Sequence, residues 1–98
     1  MMTQTENKDN SIFVGNKPFM NYVTGVAMQF NKGAEEVIVK ARGKFVSKGV
    51  DVAEVARRKF VNDKNVSVKN VTIGSKEFEN KEGKIVNVSY IEILLGKN

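Results

Sequence analysis

Apolar and polar residues change their spacing several times along the chain, and these changes predict six secondary-structure elements. The short apolar run at residues 11–15 ends in glycine, which is typical of a buried strand. Residues 18–31 then predict a helix, because proline suits the first helical position and Gly33 suits the residue after the last turn. The β-branched run at residues 35–41 predicts a central strand with both faces covered or nearly so.

A second amphipathic segment follows. We expect a helix that starts between Lys44 and Ser47 and ends near Val61, with its charged residues mainly on the solvent side. Its apolar face consists of Val46, Val50, Ala53, Ala56 and Phe60.

The last third of the chain predicts a β-hairpin. Residues 66–75 and 84–95 alternate apolar with polar positions, and the polar segment 76–83 joins them. In both strands the alternation changes phase, which turns the buried face over. A bulge or a strong twist is therefore expected where the hairpin leaves the core.

The element order is thus β-α-β-α-β-β. Two right-handed crossovers place both helices on one face of a mixed four-stranded sheet. We expect an α/β (α+β) two-layer sandwich with a protruding hairpin between its third and fourth strands. A single domain is expected at residues 11–98, after a disordered tail at residues 1–10.

Composition narrows the functional classes. The 98 residues include 16 Lys and Arg against 11 Asp and Glu, and the net charge of +5 favours polyanionic partners. With no Cys and no His, the chain lacks a thiol nucleophile, an imidazole base and an ordinary zinc ligand set. We expect no metal and no cofactor. We also expect no enzymatic activity, because Glu35 and Glu36, the adjacent acids that could form an acid/base pair, would point to opposite faces of a strand. No apolar run can span a bilayer, so we expect a cytoplasmic protein without membrane contact.

The segment KARGKFVSK, residues 40–48, holds four cations and no acid. In the expected sheet, the carboxyl ends of parallel strands and the beginnings of the helices share one edge. A cation at a helix start opposes the helix dipole at a cost of about 0.3–1 kcal/mol, so the arrangement indicates a site for external phosphate groups. The cations expected at this edge are Lys17, Arg42, Lys44 and Lys48.

Other features have structural explanations or open alternatives. Exposed cations are often only solvated, and Arg57, Arg58 and Lys59 suit the dipole at the end of the second helix, so we assign them a structural role. Gly43 is expected to take a positive φ angle or to allow a ligand close to the backbone. The first helix has no charged residue and is apolar around most of its circumference, which predicts a self-association surface.

Three segments resemble the Alba family of archaeal chromatin proteins: NKPFMNYV, VIVKARGKFVSKGVD, and VTIGS followed by GKIVNVSYIEI. The resemblance extends over residues 11–95. It implies a homodimer whose two central basic loops bind duplex DNA, and in several members RNA, while the hairpins reach along the minor groove as arms.

The resemblance also implies roles for individual residues. Asn16 precedes Lys17 where the family often has paired lysines, and Phe60 matches the aromatic position where dimers meet along the nucleic acid. Acids accompany the arm lysines, so we expect a weaker arm contribution than in more basic relatives. The expected phosphate-contacting body contains Lys17, Arg42, Lys44 and Lys48, and the arm contains Lys76, Lys81 and Lys84.

Two functions remain open on the sequence. The leading hypothesis is a nucleoid-associated architectural protein that binds double-stranded DNA with little sequence preference. The alternative is an RNA-binding protein, either an RNA chaperone or a ribonucleoprotein subunit, in which Tyr22 and Phe78 stack on unpaired bases.

Overall fold

A computed structural model describes residues 10–61 and 65–98. The expected tail at residues 1–10 lies outside the described residues except for Asn10. The described residues form four strands and two helices, with a 3-10 turn before the second helix and a π turn after it. In chain order these are β1 Ser11–Phe13, α1 Phe19–Asn31, β2 Glu36–Arg42, the 3-10 turn Gly43–Phe45, α2 Val46–Val55, the π turn Ala56–Phe60, β3 Val66–Glu79 and β4 Ile85–Lys97.

The sheet has the order β1-β2-β4-β3. Strand β1 pairs parallel with β2, and β4 pairs antiparallel with both β2 and β3. Strand β3 therefore runs in the same direction as β1 and β2, although β4 separates it from them. The predicted fold class is confirmed, and the carboxyl ends of β1, β2 and β3 lie at one edge of the sheet.

The core lies between the sheet and the two helices. In β2 the residues facing the helices, Val37, Val39 and Ala41, are buried, while the residues between them are half-buried. From α1 and α2 the fully buried contributions include Val23 and Val52. Strand alternation then sends Lys40 and Arg42 to the opposite face, which we call the open face.

A close contact fixes α2 against β2. Gly49 is buried in α2, and a Cβ atom at this position would lie 2.8 Å from the Cβ atom of Ala41. Glycine thus allows the helix backbone to approach the strand more closely than a larger residue would. This packing sets the position of the first turn of α2 beside the carboxyl end of β2.

The hairpin differs in detail from its prediction. A bulge between Val68 and Asn70 explains the phase change in β3, but the pairing of β4 shows no irregularity within the described residues. Tyr90 and Ile91 lie on opposite faces of β4, and both faces are apolar at that point. The two strands also pair with each other through the first half of the segment predicted as a connection, so only residues 80–84 form the loop. A strand segment made of polar residues shows no hydrophobic alternation in the sequence. Its backbone N–H and C=O groups can nevertheless pair with the neighbouring strand.

Beyond the sheet body, β3 and β4 form an arm. Arg42 at the end of β2 pairs with Tyr90, so from Ser75 to Ser89 the two strands pair only with each other. The arm projects from the edge where the helices begin. No helix in the described part of the chain is long and apolar enough to cross a membrane.

Candidate nucleic-acid interface

Lys48 joins the two basic connections at the carboxyl edge. Its Nζ atom donates hydrogen bonds to the backbone oxygen of Gly15 at 2.6 Å and to that of Lys17 at 2.7 Å. The β1–α1 connection is thereby held against the first turn of α2. An ammonium group has three donors, so one remains for an acceptor outside the chain.

The start of α1 is stabilised without a side-chain cap. Pro18 occupies the cap position, and the backbone N–H of Lys17 donates to the hydroxyl oxygen of Tyr22 at 3.0 Å. Tyr22 is half-buried against the core, and the ammonium group of Lys48 lies 5.2 Å from its ring centroid. Tyr22 thus supports the basic connection from beneath, while Asn16 and Lys17 are exposed.

Arg42 and Lys44 flank the turn between β2 and α2. Gly43 has a φ of 59°, as expected, which is a left-handed conformation that favours glycine. Arg42 is exposed and its guanidinium carbon lies 4.9 Å from the ring centroid of Phe78 in the arm. Lys44 is also exposed, with its ammonium 5.4 Å from the ring centroid of Phe45. The cations are thus distributed along the edge, from the β1–α1 connection to the base of the arm.

No carboxylate neutralises these cations within residues 10–61 and 65–98. The ion pair found there joins Arg57 to Glu54 at 2.7 Å, near the end of α2. Hydrogen bonding from Arg57 lowers the pKa of Glu54, and the same contact raises the pKa of Arg57. This pairing agrees with the structural role assigned to Arg57, and it leaves the charge at the carboxyl edge uncompensated.

Strand alternation separates the charges of the arm. Lys76 and Phe78 share the open face, because their partners Val88 and Val86 alternate with the residues that face the helix side. Glu77 and Glu79 point to the other face. The arm is therefore basic and aromatic on one side and acidic on the other, which its balanced composition did not indicate.

The tip of the arm is a compact turn. The side-chain oxygen of Asn80 accepts hydrogen bonds from the backbone N–H groups of Glu82 and Lys84, and Gly83 has a φ of 80°. Lys81 and Lys84 are exposed at this tip. They lie at the far end of the arm from Lys76, so the arm lysines form two separate groups.

The apolar circumference of α1 is largely absorbed by the core. Phe19 and Tyr22 pack against it as half-buried residues, whereas Met20 and Met28 stay exposed. Phe60, in the π turn that α1 contacts, is 44% exposed. The expected self-association surface is thus smaller than the sequence indicated, and its use stays a prediction.

The open face contains residues that the sequence pattern did not single out. Phe13, Lys40 and Tyr90 lie there beside Arg42, and they line a cleft of 340 Å³. The strand register brings them together, with Phe13 opposite Lys40 and Arg42 opposite Tyr90. Alternation alone could have placed each residue on this face, but their proximity depends on register. Within the described ranges, no three His, Cys, Asp or Glu residues lie close enough to hold a metal ion.

The chain is similar to known proteins over most of its length. A family model described as Alba matches residues 10–75. The chain belongs to the Alba family. DNA/RNA-binding protein Alba 1 of Archaeoglobus fulgidus is 52% identical over 89 residues, covering 91% of this chain and 97% of that protein. DNA/RNA-binding protein Alba of Methanocella arvoryzae is 50% identical and covers 90% of each chain.

The Alba fold is also found by structure. Alba from Thermoplasma volcanium superposes with a TM-score of 0.81 at 46% identity, covering 89% of this chain and 99% of that one. The match confirms the resemblance seen in the sequence.

Proposed function

We propose that this protein is a homodimeric architectural protein that binds double-stranded DNA mainly through the phosphate backbone. The observation that carries the proposal is the hydrogen bonding of Lys48, which holds two basic connections together at one edge of the sheet. The phosphate-contacting residues would be Asn16, Lys17, Arg42, Lys44 and Lys48.

The electrostatics of this edge support the proposal. Lys17, Arg42 and Lys44 have no carboxylate partner among the described residues, and neither helix has an acid in its first turn. Phosphate groups would complete the charge balance, and each neutralised phosphate releases counterions. The names of the archaeal relatives as DNA/RNA-binding proteins agree with this proposal.

The arms would add contacts beyond the body. Lys76 at the base and Lys81 and Lys84 at the tip would reach phosphates along the minor groove. Glu77 and Glu79 lie on the other side of the arm, so they would oppose the contact less than the balanced composition suggests. Binding of this kind requires no catalysis, and it suits a cytoplasmic protein associated with the chromosome.

A second copy of the chain would cover exposed apolar residues that continue the helix-facing side of the sheet beyond the core. Val71 and Ile73 pair with the buried Ile93 and Ile91, yet they are 50% and 75% exposed. Val50 on α2 and Ile85 in the arm are exposed as well. A domain of this size has little core of its own, and an apolar surface of this kind supports a homodimer. Further association of dimers along nucleic acid would involve Phe60.

Salt-dependent titration of a DNA duplex tests the proposal. If a dimer neutralises roughly six phosphates, the slope of log K against log salt is about −5. The duplex should be bound with similar affinity in different sequences, since phosphate contacts carry no sequence information. A slope near zero would contradict the electrostatic mechanism.

RNA is the second candidate ligand. The relatives' names include RNA, and exposed aromatic residues such as Phe13 favour contact with unpaired bases. Competition among DNA duplex, RNA duplex and single strands of the same sequence, at one salt concentration, separates the two functions. An RNA function predicts that single-stranded or duplex RNA displaces duplex DNA at lower concentration than DNA displaces RNA.

A further inference from the structure

Three cation–aromatic pairs occupy the open face of the sheet. The ammonium of Lys40 lies 5.3 Å from the ring centroid of Phe13, and the ammonium of Lys76 lies 5.6 Å from that of Tyr90. The guanidinium of Arg42 forms the third pair with Phe78. Both helices pack on the other face of the sheet, so neither helix covers these rings.

The three pairs border one recess. The 340 Å³ cleft is lined by three cations, Lys40, Arg42 and Lys76, and by a single acid, Glu92. Its volume falls within the range of small-molecule sites, roughly 300–1,000 Å³. The cleft is therefore large enough for one nucleotide, and its charge favours an anion.

The arrangement of the aromatic rings indicates which kind of anion fits the cleft. Phe13 is 69% exposed, so most of its surface is open to a ligand. The ring of Tyr90 lies against Gly74, where a Cβ atom would be 2.6 Å from the tyrosine oxygen, so the glycine leaves space for this ring beside β3. Aromatic rings in a recess can stack only on a base that has left its double helix.

We propose that this cleft binds one unpaired nucleotide of a single-stranded nucleic acid, with the base stacked on Phe13. Lys40, Arg42 and Lys76 hold the flanking phosphates, and Glu92 accepts a hydrogen bond from an amino group of the base. This site deepens the proposed function, because it adds a single-strand contact to the duplex contact at the carboxyl edge. DNA and RNA share the required chemistry.

The absence of tryptophan from the chain provides a direct test. A Phe13→Trp variant carries one fluorescent reporter in the cleft, and a stacked base should quench it. We expect saturable quenching by single-stranded tetranucleotides of DNA, of RNA or of both at low salt. Separate titrations with DNA and with RNA identify which nucleic acid supplies the nucleotide. A Lys32→Trp variant is the matched control, since Lys32 is an exposed residue after α1 and outside the cleft, and we expect no quenching there.

A second pair of variants removes the interactions instead of reporting them. Phe13→Ala should weaken tetranucleotide binding at least about fivefold, as expected for the loss of one stacked base. Lys40→Gln should weaken it as well, whereas Lys32→Gln, at an exposed position after α1, should not. Circular dichroism checks that each variant is folded.

The outcomes separate this site from the proposed function. Quenching in the Phe13→Trp variant without duplex binding would support the cleft and contradict the duplex proposal. Normal duplex binding with no quenching in that variant, or with equal quenching in the Lys32→Trp variant, would overturn the cleft site. Unchanged tetranucleotide affinity in both Phe13→Ala and Lys40→Gln would overturn it too.

Discussion

The ammonium group of Lys48 donates a hydrogen bond to the backbone oxygen of Lys17, 31 residues earlier in the chain. A second bond to Gly15 makes Lys48 the link between the two basic connections. Lys48→Met should therefore lower both duplex affinity and stability, the latter by about 1–3 kcal/mol because two charge-assisted hydrogen bonds are removed. Urea denaturation measures the stability.

Lys44→Met is the control for that variant. Lys44 is exposed and donates no hydrogen bond among those found in the described residues, so its replacement should weaken duplex binding with little effect on the urea midpoint. Equal midpoints for Lys48→Met and the unaltered protein would show that the link does not stabilise the fold.

Sequence patterns predicted the edge but not this link. The spacing of apolar residues places Lys17 and Lys48 near the starts of the two helices, and the topology brings those starts together. The acceptors of Lys48 are main-chain oxygens, which every residue carries and which therefore leave no signal in the sequence. The side-chain support from Tyr22 depends in the same way on local packing.

The strand pairing within the predicted arm and the cleft on the open face were missed for a different reason. Residues 76–83 alternate charged and apolar positions too weakly to predict strands, yet their pairing separates Lys76 and Phe78 from Glu77 and Glu79. The cleft requires the register of three strand pairs, and composition does not determine register.

Arg42→Ala tests the phosphate contacts at the carboxyl edge. The side chain is exposed, so the fold should be unaffected, while duplex affinity falls for all sequences. The salt slope should become shallower by about one unit for each phosphate that the variant no longer neutralises. Lys32→Ala removes a cation at the far end of α1 and should leave the slope unchanged. An unchanged slope for Arg42→Ala would mean that this residue contacts no phosphate.

Ile73→Glu tests the homodimer. Ile73 pairs with the buried Ile91 on the same face of the sheet, yet Ile73 is 75% exposed in the single chain. A carboxylate there would have to be buried without a partner in the proposed dimer, so the variant should be monomeric in light scattering. Thr72→Glu, at the neighbouring exposed position on the open face, should remain dimeric. Dimers of normal affinity in the Ile73 variant would place the interface elsewhere.

Phe60→Ala separates association along DNA from folding. The residue is 44% exposed in the π turn, so truncation should cost little stability. If dimers meet through Phe60, the variant should bind duplex DNA with less cooperativity while the isolated dimer keeps its size and melting temperature. Lower thermal stability together with unaltered cooperativity would show that Phe60 serves the fold instead.

Gly49→Ala tests the close approach of α2 to β2. Its added methyl group would lie 2.8 Å from the Cβ atom of Ala41, and overpacking of this kind costs about 1–3 kcal/mol. Gly25→Ala in α1 is the matched control, because its methyl group would meet only the Cδ1 atom of Ile12 at 3.4 Å, and the gain in helix propensity offsets that contact. The double variant Gly49→Ala/Ala41→Gly removes the opposing methyl group and should recover much of the missing stability. If the double variant is no more stable than Gly49→Ala alone, steric contact with Ala41 is not the reason that α2 requires Gly49.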